Sequence, residues 1–345
     1  MAYQNVGSTP RFYVSILQWL HSLGEMSIFP SSTNVYGKHY NELAYLDPIK
    51  TTYFKGAGGA FNINFNSLYG NYNTLMPNDK NFFMLLNHNF SKGGMQFYLS
   101  PSPPTTIANI GYKNVQGIGC HKDGCSISLG NDAGDMETNE LILRFQNYVP
   151  EFEYYFGSVL YGTYYDIPRS PSLNVKLSRD YGSTKEYETI TGASISNTYW
   201  DTPPHWTDGG AWELINHEAV NYEKLSKSGR RTWDLSFQMM TDSDVLGANQ
   251  KVSYRGENLL GIEGYEDADT VSNVTFAYNL LDDDNFFSQV WNKTANGTLP
   301  FVFQQDSSNS SADQFAIARF KTDTLSIKQS SIGLMDISVT IEEAW

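Results

Sequence analysis

Residues 61–66 read Phe-Asn-Ile-Asn-Phe-Asn, an unbroken alternation of apolar and amide side chains. A β-strand sends successive side chains to opposite faces. Phe61, Ile63 and Phe65 would therefore share a buried face, and Asn62, Asn64 and Asn66 a wet one. The same period recurs along the chain. Leu173, Val175 and Leu177 alternate with Asn174, Lys176 and Ser178, and Trp233, Leu235, Phe237 and Met239 with Asp234, Ser236 and Gln238. Phe82, Met84 and Leu86 lead into the polar run "NHNFSKGG", and Met95, Phe97 and Leu99 lead out of it. That pattern reads as strand, turn, strand, stopped by "SPSPP". "LILRFQNYVPEFEYYFG" adds one more strand. "FVFQQ", "QFAIARF", "TLSIKQ" and "LMDISVTIEEAW" bring the region from Arg231 to Trp345 to about five strands.

Two segments read as helices. "SILQWLHSLG" follows a short strand, "RFYV". It turns Ile16, Leu17 and Leu20 inward and ends at Gly24. Near 283–295, Asp283 or Asp284 caps a helix on which Phe287, Val290 and Trp291 recur, and Gly297 stops it. The stretch 182–223 reads as irregular. Its Trp200, Trp206 and Trp212 must pack on the parent domain or on a neighbouring chain, which makes them candidate interface residues. So few helices do not supply an α/β enzyme. The expected fold is mainly β: two β-sandwich or jelly-roll-like domains with one or two short helices. A strand and helix at 1–28 pack on the C-terminal domain, a sandwich spans 29–155, and a second β domain spans 156–345.

A chain of 345 residues exceeds the usual single core, which supports two domains. The net charge of −14 comes with no basic stripe, so nucleic acid is not an expected partner. No apolar stretch is long enough to cross a bilayer, and "MAYQNVGSTPRFYVSILQWLHSLG" lacks the form of an export signal. The expectation is a product of the cytoplasm without membrane insertion. Aromatics make up 14% and charged residues 17%, as in β-rich chains that bury rings and expose amides and hydroxyls.

The chain contains no H-E-x-x-H, G-x-S-x-G, P-loop or dinucleotide-binding fingerprint. Cys120 and Cys125 have only His121 and Asp123 close by, so they read as a thiol pair in a tight turn. The acidic loops around Asp132, Asp135, Glu137 and Glu140, and around Glu266, Asp267 and Asp269, lack the calcium-loop pattern. Glu151 with Glu153, and Glu186 with Glu188, would each share a strand face, a placement that usually points to solvent. No catalytic residue, metal or cofactor is expected. Asn87, His88 and Asn89 stand out between apolar strands. They read either as a group that meets a sugar's hydroxyls or as one that ties its own turn through backbone bonds.

Four stretches, taken in order, resemble tail and tail-tip structural proteins of tailed bacteriophages, a group frequent in aquatic phages. They are "GTYYDIPRSPSLNVKLSRDYG", "GASISNTYW", "SKSGRRTWDLSFQMMTDSDV" and "NFFSQVWNKTANGTLPFVFQQDSSNSSADQFAIARF", and the resemblance covers most of Gly157–Trp345. "FFMLLNHNFSKGG" resembles the turn of a galactose-binding-like β-sandwich, with Asn87 where that turn commonly has Gly. The resemblance implies a virion protein of the tail or tail tip, assembled in the host cytoplasm. It would be a ring-forming distal-tail or baseplate-hub protein that links the tail tube to host-recognition parts. Its partners would be other tail proteins and copies of itself, in a ring such as a hexamer. Arg230 or Arg231, both candidate interface residues, would then pair across a subunit interface or along the strand with acidic neighbours, and Trp291 joins the interface candidates. The alternative is recognition of a host surface glycan by the sandwich at 29–155, through Asn87, His88 and Asn89. A glycan depolymerase is a third, more remote reading.

Overall fold

The computed structural model describes residues 8–31, 35–55, 61–76, 80–89, 96–101, 125–129, 139–146, 152–182, 184–198, 229–246, 281, 283–309, 312–331 and 333–344. The N-terminal part supplies β1 (Arg11–Ser15), helix α1 (Ile16–Ser22), β2 (Met26–Pro30), β3 (Val35–Gly37), β4 (Thr52–Lys55), β5 (Phe61–Ser67), β6 (Asn81–Leu86), β7 (Gln96–Pro101), β8 (Cys125–Leu129) and β9 (Glu140–Gln146). Next come β10 (Glu153–Phe156), β11 (Ser158–Asp166), β12 (Lys176–Asp180), β13 (Thr184–Glu188) and β14 (Ser194–Thr198). The set closes with β15 (Arg230–Thr241), β16 (Phe301–Gln304), β17 (Phe315–Phe320), β18 (Ser326–Ser331) and β19 (Leu334–Glu343). The fold is mainly β with a few short helices.

Ten strands form one antiparallel sheet in the order β12-β15-β19-β17-β16-β1-β11-β6-β8, with β18 branching from β19. A four-stranded sheet runs β2-β5-β9-β7, a three-stranded one β10-β4-β3, and β13 with β14 forms a separate hairpin. Three apolar clusters fill the spaces. The first joins the four-stranded sheet, α1 and one face of β6 and β11 through Ile16, Leu17, Phe65, Leu143, Phe83 and Tyr161. The second lies on the C-terminal half of the large sheet, around Phe12, Trp233, Phe237, Phe303 and Ile341. The third, around Tyr13, Phe82, Met84, Leu160 and Val302, covers the opposite face of the central strands. Strands covered on both faces lose the alternating pattern. All six residues of β6 and all four of β16 are buried.

Several expectations change. The line expected at 155/156 runs through the large sheet, because β6 and β8 pair beside β11. The segment β1–α1 does not simply pack on the C-terminal part. β1 pairs with β16 on one side and β11 on the other, and α1 buries Ile16 and Leu17 in the N-terminal core. The strands expected as a hairpin around 87–94 separate: β6 enters the large sheet and β7 pairs with β9. "LILRFQNYVPEFEYYFG" yields two strands, β9 and β10, in different sheets. Within 182–223, residues 184–198 form the hairpin β13–β14, while Trp200, Trp206 and Trp212 lie outside the described residues.

Alternation fails at two places for local reasons. Leu173 is exposed because it sits in a turn before β12, and Leu177 is exposed on β12, the last strand of the sheet among the described strands. In β15 the inward set is Trp233, Leu235, Phe237 and Met240, not Met239. An extra residue between Phe237 and Met240 breaks the register with β19, and Met239 adopts a left-handed backbone (φ 57°). A bulge of this kind reverses the facing of everything after it. The carboxylate of Asp336 accepts the freed Met239 N–H at 3.1 Å.

The two expected helices form with different details. α1 ends as anticipated: Gly24 takes φ +76°, and the N–H groups of Gly24 and Glu25 return to His21 O and Leu20 O. The second is a wide turn over Phe287–Trp291, in which Asn292 N–H reaches back five residues to Phe287 O. Neither Asp283 nor Asp284 caps it. The Asn285 side chain accepts the Ser288 N–H at 2.8 Å, and Asp284 instead pairs with Lys80 at 2.5 Å. Phe286 is buried fully and Phe287 only partly, so the inward set is Phe286, Val290 and Trp291.

Gly162 has the closest surroundings of any described glycine. It lies opposite Ser15, where β1 becomes α1, and a Cβ there would stand 2.1 Å from Val14 O and 2.8 Å from Ile16 N. Both obstacles are backbone atoms and cannot rotate away. Gly162→Ala should lower unfolding stability by at least the roughly 1–3 kcal/mol typical of overpacking. Urea denaturation would measure the loss, and an unchanged midpoint would contradict this packing.

Candidate functional site

The three residues singled out as glycan readers lie inside the fold. β6 ends at Leu86, and Asn87 takes a left-handed turn (φ 55°) that an Asn tolerates better than most residues. Its Nδ2 donates to Pro48 O at 2.5 Å. Asn89 donates to Glu153 O at 3.0 Å and accepts the Tyr155 N–H at 2.9 Å, so its side chain pairs with β10 as a strand neighbour would. His88 is buried between them, and burial pushes its imidazole down to about 3, which keeps it neutral. All three residues are at most 6% exposed. A sugar-reading face needs polar groups open to solvent, whereas here the amides serve the chain's own backbone. The placement speaks against the glycan-facing reading, and the side chains tie not their own turn but the distant Pro48 and β10.

Arg231 is likewise internal. Its guanidinium contacts Glu343 Oε1 through Nε (3.0 Å) and Nη2 (2.7 Å), and its backbone N–H meets Oε2 at 2.7 Å. The same side chain donates to Asp313 O and Phe315 O, each at 2.7 Å, and lies 5.2 Å from the Trp233 ring centroid. A cation across an exposed interface does not fill its hydrogen-bonding capacity this completely within its own chain. The partner is an acidic neighbour on the adjacent strand region, and the cross-subunit alternative does not apply to Arg231. Arg230 is half-buried and stands opposite Asp180 in the β12–β15 register. Trp291 is buried within its own chain against Phe320 at 5.1 Å, which removes it from the interface candidates.

Other polar groups stitch the parts of the fold together. Gln18 donates to Pro300 O and accepts the Leu46 N–H. Gln289 accepts from Thr163 Oγ1 and from Lys293 Nζ, and Lys293 also donates to Leu75 O. Lys38 Nζ donates to Asp47 O and Gly157 O, and burial lowers its ammonium to about 8. Among the described residues no group of three or more His, Cys, Asp or Glu side chains could hold a metal ion, and no helix is long and apolar enough to cross a membrane. Cys125 opens β8 opposite Leu86. Cys120 and both acidic loops fall outside the described residues, apart from Glu140, which accepts from Asn64 Nδ2 at 2.6 Å.

The sequence reading missed the surface from Leu173 to Ile195. Of the 14 large hydrophobic side chains exposed among the described residues, six lie here: Leu173, Leu177, Tyr181, Tyr187, Ile190 and Ile195. That concentration makes the segment a candidate contact surface. Every strand residue of the β13–β14 hairpin is exposed. The turn is closed by Thr189, whose Oγ1 accepts the Ala193 N–H at 3.0 Å, and by Gly192 at φ +78°. "ETITGAS" carried that signal, since a hydroxyl and a glycine flank the loop. Comparison with protein families, with curated proteins and with solved structures found no match to this chain.

The Arg231–Glu343 pair makes a measurable claim. Glu343→Leu should cost about 3–5 kcal/mol, because it leaves a buried cation without its carboxylate. Arg231→Met combined with Glu343→Leu should recover part of that loss in urea unfolding. A double variant as unstable as the sum of its parts would contradict the coupling.

Proposed function

We propose that the chain is a structural component of a phage tail, a ring-forming distal-tail or baseplate-hub protein that assembles with copies of itself and with neighbouring tail proteins. The observation that carries this reading is the exposed apolar surface between Leu173 and Ile195. Large apolar side chains gathered in one exposed segment are not packed within their own chain, and contact with another subunit would bury them. The sequence resemblance over Gly157–Trp345 supplies the kind of assembly. The polar residues offer a second support. Asn87, Asn89, Arg231 and Glu343 are committed to internal bonds, which withdraws these four from contact with a ligand or partner.

The test is location and stoichiometry. In purified particles of the encoding phage, quantitative mass spectrometry should find the chain at a small fixed copy number. Antibody labelling should place it at the distal end of the tail. Its absence from particles, or labelling of the capsid, would overturn the proposal.

A further inference from the structure

We propose that Lys38 is a proton-controlled clasp: its neutral amine holds the loop 43–50 on the junction of two sheets, and its charged form loosens that hold. The inference stands apart from the tail reading. Gly157 is the junction, the single residue between β10 of the three-stranded sheet and β11 of the large one. Lys38 directly follows β3, and its backbone is fixed at the start of β4. Its N–H donates to Thr51 O at 2.9 Å, and its carbonyl accepts from Thr52 Oγ1 at 2.8 Å. The side chain is buried, and Nζ donates to Asp47 O at 2.9 Å and to Gly157 O at 3.1 Å. Neighbouring ties share this placement. Asp47 N–H donates to Ser158 Oγ, which donates to Tyr45 O, and Val159 N–H donates to Leu43 O. Asn87 reaches Pro48 O, and a Cβ on Gly157 would stand 2.4 Å from that same oxygen.

The number of acceptors makes the clasp sensitive to a proton. Two carbonyls satisfy both N–H groups of a neutral amine, whereas an ammonium brings three donors and a charge. Asp47 does not pair with that charge, because its carboxylate turns to Lys50 at 3.5 Å. Burial is the largest influence on Lys38 and lowers its amine to about 8. Asp47 and Glu42 pull the other way, and Lys50 adds to the lowering. The turn 87–89 beside Pro48 contributes one titratable group, His88, which is buried and neutral. Gly157 and Ser158 contribute none. Below about 8 the clasp carries a buried charge. From there to 10.5 the unfolded chain binds a proton that the folded chain has released, so stability rises with pH.

Urea unfolding of wild type and Lys38→Met, at about pH 7.5 and about pH 9.5, tests this. Relative to the variant, the wild-type unfolding constant should fall on the order of tenfold between the two. Alkaline effects common to both proteins, such as tyrosine ionisation, cancel in that ratio. Tryptic cleavage after Lys50, followed by mass spectrometry and corrected with a reference peptide, reads the loop itself. It should slow at the higher pH in wild type and stay constant in the variant. A stability ratio that ignores pH would overturn proton control. A ratio that changes while cleavage after Lys50 does not would overturn the hold on the loop. Wild type alone supplies a third readout that does not depend on the variant's folding. With ¹³C-labelled lysine, the Cε resonance of Lys38 should titrate near 8, and movement with ordinary lysines near 10.5 would overturn the proposal.

Discussion

β1 is hydrogen-bonded along both edges, to β11 and to β16, and among the described strands it alone joins the two halves of the large sheet. Its side chains are shared out with equal economy. Phe12 and Val14 enter the C-terminal core and Tyr13 the core on the opposite face, while Ile16 and Leu17, one step on, enter the N-terminal core. Five of the six positions from Phe12 to Leu17 thus seed three clusters. The ends of this seam are fixed. Arg11 grips Asp166 with two bonds of 2.6 and 2.8 Å, Tyr13 Oη donates to Gln304, and Gly162 leaves room for the chain to turn into α1. A strand paired on one side can fray from its free edge. One paired on both sides must wait for a neighbour to leave.

The buried polar groups follow the same plan. Gln18, Gln289 and Lys293 cross between parts of the chain far apart in sequence, and each meets backbone carbonyls or amides that would otherwise be buried without partners. Arg231 and Glu343 do this for the far end of the sheet. Such groups cost desolvation and return it only when every partner is in place, so they fix one arrangement of the cores more than they deepen its stability. Asn87, His88, Asn89 and Arg231, which looked available in the sequence, are thereby committed to the interior. Among the described residues, what stands outward is the apolar segment from Leu173 to Ile195.

Elements set by neighbours in sequence were legible. β5 alternates as its Asn residues demand, β15 does so until its bulge, and α1 with its Gly24 stop follows from capping and spacing alone. Elements set by distant partners were not. The bulge at Met239 depends on Asp336 nearly a hundred residues on. The parting of β6 from β7 depends on β11 and β9 offering better partners than a local turn. The cap of the second helical turn fell to Asn285 because Lys80, far upstream, holds Asp284. Of the candidate site, Asn87, His88 and Asn89 were correctly noticed as unusual, but their purpose hinges on Pro48, Glu153 and Tyr155. The hairpin at 184–198 was overlooked because it has no buried face, and burial is what alternation reports.

If β1 is the seam of a single cooperative body, native-state hydrogen exchange should show it most directly. The amides of Phe12, Tyr13 and Val14 should be among the slowest in the protein. They should open at the same free energy as those of β11 and β16, in one global event. Exchange in which β16–β19 opens at lower free energy while β6 and β11 stay protected, with β1 following only one of them, would contradict the account.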